Sequence, residues 1–119
     1  MRREELYLHD IIEALDHIAG FIESLDASTF EQSELVRSAV VQKLTVVGEA
    51  AARISDELKK RHLEIPWPQI VAFRNILVHA YFGIDWTEVW QAVTRQAPEL
   101  RKQIAAILEA EVDRPDHAT

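Results

Sequence analysis

LHDIIEALDHIAGFIESL, residues 8–25, is the stretch that decides the fold, because its apolar side chains recur every three or four positions. On an α-helix this spacing places them on one face, so the pattern predicts a first helix over roughly residues 3–25. The apolar positions are Leu8, Ile11, Ile12, Leu15, Ile18, Ala19, Ile22 and Leu25. Residues 26–29 would end this helix, and Ser28 with Glu31 resembles a capping box that opens the next segment.

The same spacing continues over residues 36–58 and predicts a second long helix that ends near residues 59–62. Within it, Gly48 and the three alanines at 50–52 form a patch of small side chains. Such a patch is suited to the close approach of a neighbouring helix.

Pro-Trp-Pro at residues 66–68 is a stiff connection, after which a third helix is predicted to run to about His79 or Tyr81. Gly83 is expected to stop it in a left-handed conformation. A fourth helix, capped by Asp85 and kinked or split by Pro98, completes the pattern. The fold class that follows is all-α, an up-and-down bundle of four to five helices.

Length and composition describe one ordinary globular domain. The chain has 119 residues, of which 48% are hydrophobic and 28% are charged, and it contains no cysteine. Disulfides and thiolate metal sites are therefore excluded. The net charge of −7 argues against a simple nucleic-acid binder, since such proteins usually carry a basic face. RNA remains a possible substrate only if positive charge is concentrated at one site or a basic partner helps.

The expected organisation is a single helical domain over residues 1–112 followed by a flexible tail over residues 113–119. No apolar run approaches the roughly 18 to 20 residues that a membrane span requires, and the N-terminus lacks the apolar core of a signal peptide. We therefore expect a cytoplasmic protein without a membrane partner.

The segment RNILVHAY, residues 74–81, carries the chemistry, because it places Arg74, His79 and Tyr81 inside an apolar stretch. A charged Arg and an ionisable His there must be paired, bound to a ligand or directed at a cleft. On an ideal helix Arg74 and His79 lie about 140° apart, whereas Arg74 and Tyr81 lie within about 20°. Either the helix ends near His79, or the residues converge across an interface with a second copy.

For these residues and for several others, a purely structural interpretation remains open beside the functional one. Arg74, His79 and Tyr81 could be a core ion pair, a satisfied imidazole and an interface phenol. Without the i, i+4 spacing of a usual metal pair, His9 and His17 make a poor metal site. The run at residues 59–62 is interpreted as a solvated helix cap. The tryptophans could stack on nucleobases, although packing in the core or a dimer is favoured; they are Trp67, Trp86 and Trp90.

The motif R-x4-H-x-Y at residues 74–81 resembles the signature of HepT-type toxins, which belong to the HEPN group (higher eukaryote and prokaryote nucleotide-binding) of small helical proteins. The resemblance extends over nearly the whole chain, through the blocks at 8–14, 47–55, 65–67, 82–85 and 89–90. All three motif positions match, so the family's roles carry over to Arg74, His79 and Tyr81. Gly48 and Glu49 match as well, with no role assigned beyond packing or hydrogen bonding near the third helix.

This resemblance implies a HEPN-like fold and a ribonuclease that needs neither metal nor cofactor and acts as the toxin of a toxin–antitoxin pair. Its partners would be an RNA substrate (tRNA or mRNA) and a minimal nucleotidyltransferase antitoxin of the MNT type. That antitoxin would transfer AMP to Tyr81 (AMPylation). His79 would move protons and Arg74 would hold the phosphate, with a homodimer supplying the second pair.

Two alternatives belong to other classes of protein. One is a non-catalytic module that presents nucleotide or nucleic acid to a nucleotidyltransferase partner, which the acidic charge favours and the intact motif disfavours. The other is a plain helical dimerisation protein in which the motif is a buried structural network.

Overall fold

The computed structural model describes residues 2–112, and within them every regular element is helical. The helices are α1 (Arg2–Ile22), α2 (Ala27–Gln32), α3 (Glu34–Arg53), α4 (Asp56–Arg61), α5 (Trp67–His79), a 3-10 turn (Tyr81–Gly83), α6 (Trp86–Gln91), a π-helical segment (Ala92–Gln96), α7 (Ala97–Ile107) and a second π-helical segment (Leu108–Val112). The elements from α6 onward follow one another without a break. The predicted all-α fold is confirmed, as four long helical rods with two short helices between them.

The four rods pack in a chain of neighbours. α1 lies along α3 and also contacts α7, while α3 lies along α5. Short α2 bridges α3 and α6. α5, which carries the motif, therefore rests mainly on α3, and α3 is the element that positions it.

The core is formed by the apolar stripes that the helical spacing predicts. Its fully buried members come from nearly every helix and include Leu8, Ile11, Ile18, Phe30, Val40, Leu58, Leu77, Val89, Ile104 and Ile107. Burying a side chain of this size contributes about 1.5–3 kcal/mol relative to leaving it exposed. The first helix ends at Ile22 rather than near residue 25, a difference of under one turn.

Two predicted helix boundaries were wrong. The capping box belongs to Asp26 and Thr29, whose side chains and backbone amides bond reciprocally at 2.8 and 2.9 Å, and not to Ser28 and Glu31. The second long helix is also two helices, because the Ser55 hydroxyl accepts the Leu58 amide and starts α4 afresh.

Around the fourth helix the predictions are mixed. Asp85 caps α6 as expected, accepting the amides of Thr87 and Glu88. The Pro98 prediction is confirmed as a distortion, since the rod widens into the π-helical segment immediately before it. Proline has no amide to donate back along the helix, so the preceding turn must find other partners. The left-handed Gly83 was wrong: none of the described glycines has a positive φ, and a 3-10 turn ends this region instead.

The basic run at residues 59–62 is not merely a solvated cap. Arg61 donates to both oxygens of Glu111, at 2.9 and 2.7 Å, and His62 Nε2 donates to the same carboxylate at 2.8 Å. These bonds, foremost those from Arg61, lower the pKa of Glu111 from 4.5 to about 2. The contact ties the end of the last rod to α4.

The predicted tail at residues 113–119 lies outside the described residues. Among the helices of residues 2–112, none combines the length and the apolar character needed to cross a bilayer.

Candidate active site

Helix α5, which carries the motif, ends at His79. Of the two arrangements that the sequence left open, the structure therefore contains the one in which the helix ends near His79. Ala80 follows with φ −128° and ψ 39°, and its amide bonds to the carbonyl of Ile76 at 2.9 Å. The backbone therefore leaves the helical path, and Tyr81 opens the 3-10 turn. Among the described residues no hydrogen bond joins Arg74, His79 and Tyr81 to one another, so the buried structural network is not what the fold builds within one chain.

Arg74 is seated on Gly48 of α3. A methyl group at Gly48 would collide with Arg74 Cβ and would lie 2.6 Å from its Cγ. Only a glycine allows the two helices to approach this closely at that level. The predicted role of Gly48 in close helix packing is confirmed, and Glu49 beside it is exposed.

The guanidinium of Arg74 is half-buried and has no partner within the described chain. Its Nε is shielded from solvent and makes no hydrogen bond. Within residues 2–112, Arg74 is therefore not part of the core ion pair that was the structural alternative for this residue. A shielded donor without an acceptor costs about 1–3 kcal/mol, which an anionic ligand would recover.

Arg37 of α3 repeats this condition. It is also half-buried with a shielded, unbonded Nε, whereas Arg61 and Arg101 each bind a carboxylate. Sequence reasoning overlooked Arg37. The available signal was its place between Val36 and Val40, inside the apolar stripe of α3.

His79 and Tyr81 are both exposed, with 39% of Tyr81 accessible. The Tyr81 ring meets Phe82 at 5.7 Å and Trp86 at 6.1 Å between centroids, edge-on in both cases. Trp86 in turn contacts buried Phe30 at 6.3 Å. The phenol is thus held by aromatic contacts that lead into the core, while its hydroxyl has no hydrogen-bond partner in the described residues.

Packing was the favoured role of the tryptophans, and the structure supports it. Trp67 is buried and its indole N–H donates to the carbonyl of His62 at 3.0 Å. Trp90 is half-buried and lies 5.2 Å from Phe30. Trp86 is half-buried too, at the boundary between the core and the site.

Exposed apolar side chains border the motif. Ile76 and Val78 are 51% and 47% exposed, and Phe82 is fully exposed. Ile76 and Val78 project from either side of the exposed surface of α5, since buried Leu77 stands between them. Large exposed apolar side chains are typical of a surface that binds another protein or a second copy.

His79 and Tyr81 lie on the exposed surface. A cavity of about 310 Å³ lies among α1, α3, α5 and the rod that begins at α6, lined by residues such as Leu15, Val47, Ile70 and Gln91. None of the three motif residues lines this cavity. In residues 2–112 no three His, Asp or Glu side chains are grouped as a metal site would need.

Comparison with known proteins identifies the family. The family model described as ribonuclease HepT-like matches residues 11–107. A Methanocaldococcus jannaschii protein named as a candidate RNase is 31% identical over 106 residues, 89% of this chain and 97% of that protein. A Thermococcus cleftensis protein named Probable ribonuclease HepT is 35% identical over 100 residues, 84% of this chain and 91% of that protein. No solved structure matches significantly. The chain belongs to the HepT-like ribonuclease family.

Proposed function

We propose that the protein is the toxin ribonuclease of a toxin–antitoxin pair and cleaves RNA without a metal ion, at a site shared between two copies of the chain. The observation that carries the proposal is Arg74, a half-buried residue whose stem packs on Gly48 and whose guanidinium has no partner among residues 2–112, five residues before the exposed His79. A phosphodiester is the anion that a ribonuclease must hold, and a guanidinium binds it through two parallel hydrogen bonds.

The chemistry follows from the groups present. RNA supplies its own nucleophile, the 2′-hydroxyl. A neutral His79 removes the 2′-proton, the 2′-oxygen attacks phosphorus, and the bond to the 5′-oxygen breaks as a protonated imidazole donates to that oxygen. Arg74 stabilises the negative charge that builds on the non-bridging oxygens. The products are a 2′,3′-cyclic phosphate and a 5′-hydroxyl, so no external nucleophile is consumed.

One chain supplies one such histidine, whereas the reaction benefits from a base and an acid. A twofold dimer that faces the two α5 helices would bring His79 of the partner subunit to the same cleft. The exposed apolar side chains of Ile76, Val78 and Phe82 support this arrangement, since they flank the motif and the rest of residues 2–112 leaves them uncovered.

Tyr81 is the proposed point of control. The nucleotidyltransferase antitoxin would transfer AMP from ATP to Tyr81. The Tyr81 hydroxyl would attack the α-phosphorus of ATP, and pyrophosphate would leave. Tyr81 is exposed on the turn that follows His79, and its hydroxyl makes no hydrogen bond to the described part of the chain. The added phosphate and base would occupy the place of the substrate phosphate and could pair with Arg74, which would block RNA without changing the fold.

The test is cleavage of total tRNA and mRNA by purified protein, with variants matched in residue type. Arg74→Ala and His79→Ala should each lose about 10² to 10⁴ in rate. The exposed residues Arg95 and His9 offer controls, and Arg95→Ala and His9→Ala should cleave like the wild type. Full activity in both motif variants would refute the proposal. RNA binding without cleavage by the wild type would favour the non-catalytic binding module instead.

A further inference from the structure

Arg37 is a cation held in place by an aromatic ring instead of a carboxylate. Its guanidinium carbon lies 4.8 Å from the centroid of the Trp86 ring. A cation–π contact of this kind holds the guanidinium over the ring and uses none of its N–H groups as hydrogen-bond donors to a carboxylate. Within the described residues no acceptor takes any of them, and Nε is shielded from solvent.

The same ring connects Arg37 to the motif. Trp86 contacts Tyr81 at 6.1 Å, edge-on, so one side chain separates Arg37 from the proposed point of control. Both arginines also lie against α3. Arg74 of α5 packs on Gly48 of α3, and Arg37 projects from α3 itself to Trp86 of α6.

Along α3, Arg37 and the contact point of Arg74 are separated by a length suited to a strand of a few nucleotides. Arg37 precedes Gly48 by eleven residues, which is about 16 Å at the rise of an α-helix. The two positions also repeat closely in angle, since eleven residues make three turns to within about 20°. Arg37 and the residue on which Arg74 packs thus lie on one face of α3.

The charge of the chain makes this placement unusual. The protein carries a net charge of −7, and Arg61 and Arg101 are neutralised by Glu111 and Asp16. Arg37 and Arg74 are the half-buried arginines among the described side chains, and both lack a carboxylate. Among the described residues, shielded guanidinium nitrogen without an acceptor is therefore found at Arg37 and Arg74.

We propose that Arg37 binds a backbone phosphate of the RNA strand a few nucleotides from the one held by Arg74, with Trp86 as the residue that positions it. This inference rests on the proposed function and gives the substrate a path, along this face of α3 and past Trp86 and Tyr81. A single-stranded segment is the class of RNA that fits, since its backbone can follow a protein surface and its affinity comes from phosphate contacts.

The experiment measures binding and cleavage separately. Binding of a single-stranded RNA is measured in the His79→Ala protein, where no cleavage is expected. Adding Arg37→Met keeps the apolar stem against Trp86 and removes the charge. The affinity should fall about tenfold or more. The logarithm of the association constant falls as the logarithm of salt concentration rises. This slope should become less steep by about 0.7, the value for one phosphate contact on a single strand.

Matched variants separate charge from packing. Arg37→Lys should recover part of the affinity, and Arg95→Ala, at an exposed arginine, should change it less than twofold. In the cleaving protein, Arg37→Met should raise KM and leave most of kcat, whereas Arg74→Ala should lower kcat. Thermal unfolding of Arg37→Met, followed by circular dichroism, checks that the fold persists.

The outcomes distinguish this inference from the function on which it rests. If Arg37→Met and Arg95→Ala have the same RNA affinity, salt slope and KM, the inference is overturned even where cleavage is intact. If binding depends on Arg37 but the wild type cleaves no RNA, the inference holds and the proposed function fails.

Discussion

Replacement of Gly48 by alanine should lower both the free energy of unfolding and the rate of RNA cleavage, because the added methyl group would overlap the side chain of Arg74. It would lie 2.6 Å from Arg74 Cγ, where ordinary contacts begin at 3.4 Å, a deficit of 0.8 Å. The collision with Arg74 Cβ is worse, and that atom is fixed to the backbone of α5. The side chain cannot rotate away, so α3 and α5 must separate by about 1 Å.

The expected cost can be worked from two opposing effects. Overpacking of a tight contact costs about 1–3 kcal/mol, and the backbone-fixed atom places this case in the upper half of that range. Alanine regains about 1 kcal/mol of helix propensity over glycine. The net loss should therefore be about 1–2 kcal/mol. A 1 Å displacement of the cation should also lower cleavage about 10²-fold.

Gly20 of α1 is the matched control, since a methyl group there has no neighbour within 4 Å. Gly20→Ala should stabilise the protein by about 0.5–1 kcal/mol, with cleavage unchanged. Urea denaturation followed by circular dichroism measures the free energy of unfolding. The rate of RNA cleavage reports whether Arg74 has been displaced. A Gly48→Ala protein as stable and as active as the wild type would refute the seating of Arg74 on Gly48.

Three further predictions concern the C-terminal contact, assembly and control. Glu111→Gln should lose about 2 kcal/mol above pH 5, and the loss should shrink between pH 4.5 and about 2, because the native pKa of Glu111 is lowered and its stabilisation disappears as the carboxylate is protonated; urea denaturation at several pH values measures it. Val78→Asp should turn a dimer into a monomer in light scattering at micromolar concentration, since a charge would be buried in the apolar contact. Co-expression with the genomic neighbour should add AMP-sized mass to Tyr81 in mass spectrometry, and Tyr81→Phe should abolish the addition.

Each of these has a control or a contrary result. Glu109 is exposed and two residues away, so Glu109→Gln should leave stability unchanged; equal losses in both variants would contradict the Glu111 contact. A monomeric wild type, or a dimer unaffected by Val78→Asp, would contradict assembly through α5. Neutralisation of Tyr81→Phe with no change of mass would indicate occlusion by the antitoxin in place of modification.

The helices could largely be predicted from sequence because their signals are local. The spacing from Leu8 to Leu25 locates α1 to within a turn, and Asp85 caps α6 as its side chain suggests. The missed break at Ser55 has a physical reason. Ile54 and Leu58 are both buried, so the apolar stripe continues across two helices as though they were one.

The site could be predicted only in part, because its decisive contacts join distant parts of the chain. The motif predicts Arg74, His79 and Tyr81 as the site residues, and the small-residue patch predicts the close packing at Gly48 that the structure contains. That Gly48 lies against Arg74 could not be predicted, because this contact depends on how α3 packs against α5. Arg37 is harder still, since a single arginine within an apolar stripe gives no sign that Trp86, 49 residues later, will hold it.

The most direct test of the central claim is the chemistry of the cleaved RNA ends. Purified wild type, freed of metal and assayed in EDTA, should cleave RNA to fragments that end in a 2′,3′-cyclic phosphate, with 5′-hydroxyl groups on the other side of each cut. His79→Ala protein prepared in the same way should form both products about 10² to 10⁴ times more slowly. Cleavage that stops in EDTA, or fragments that carry 5′-phosphates, would contradict metal-independent attack by the 2′-hydroxyl at Arg74 and His79.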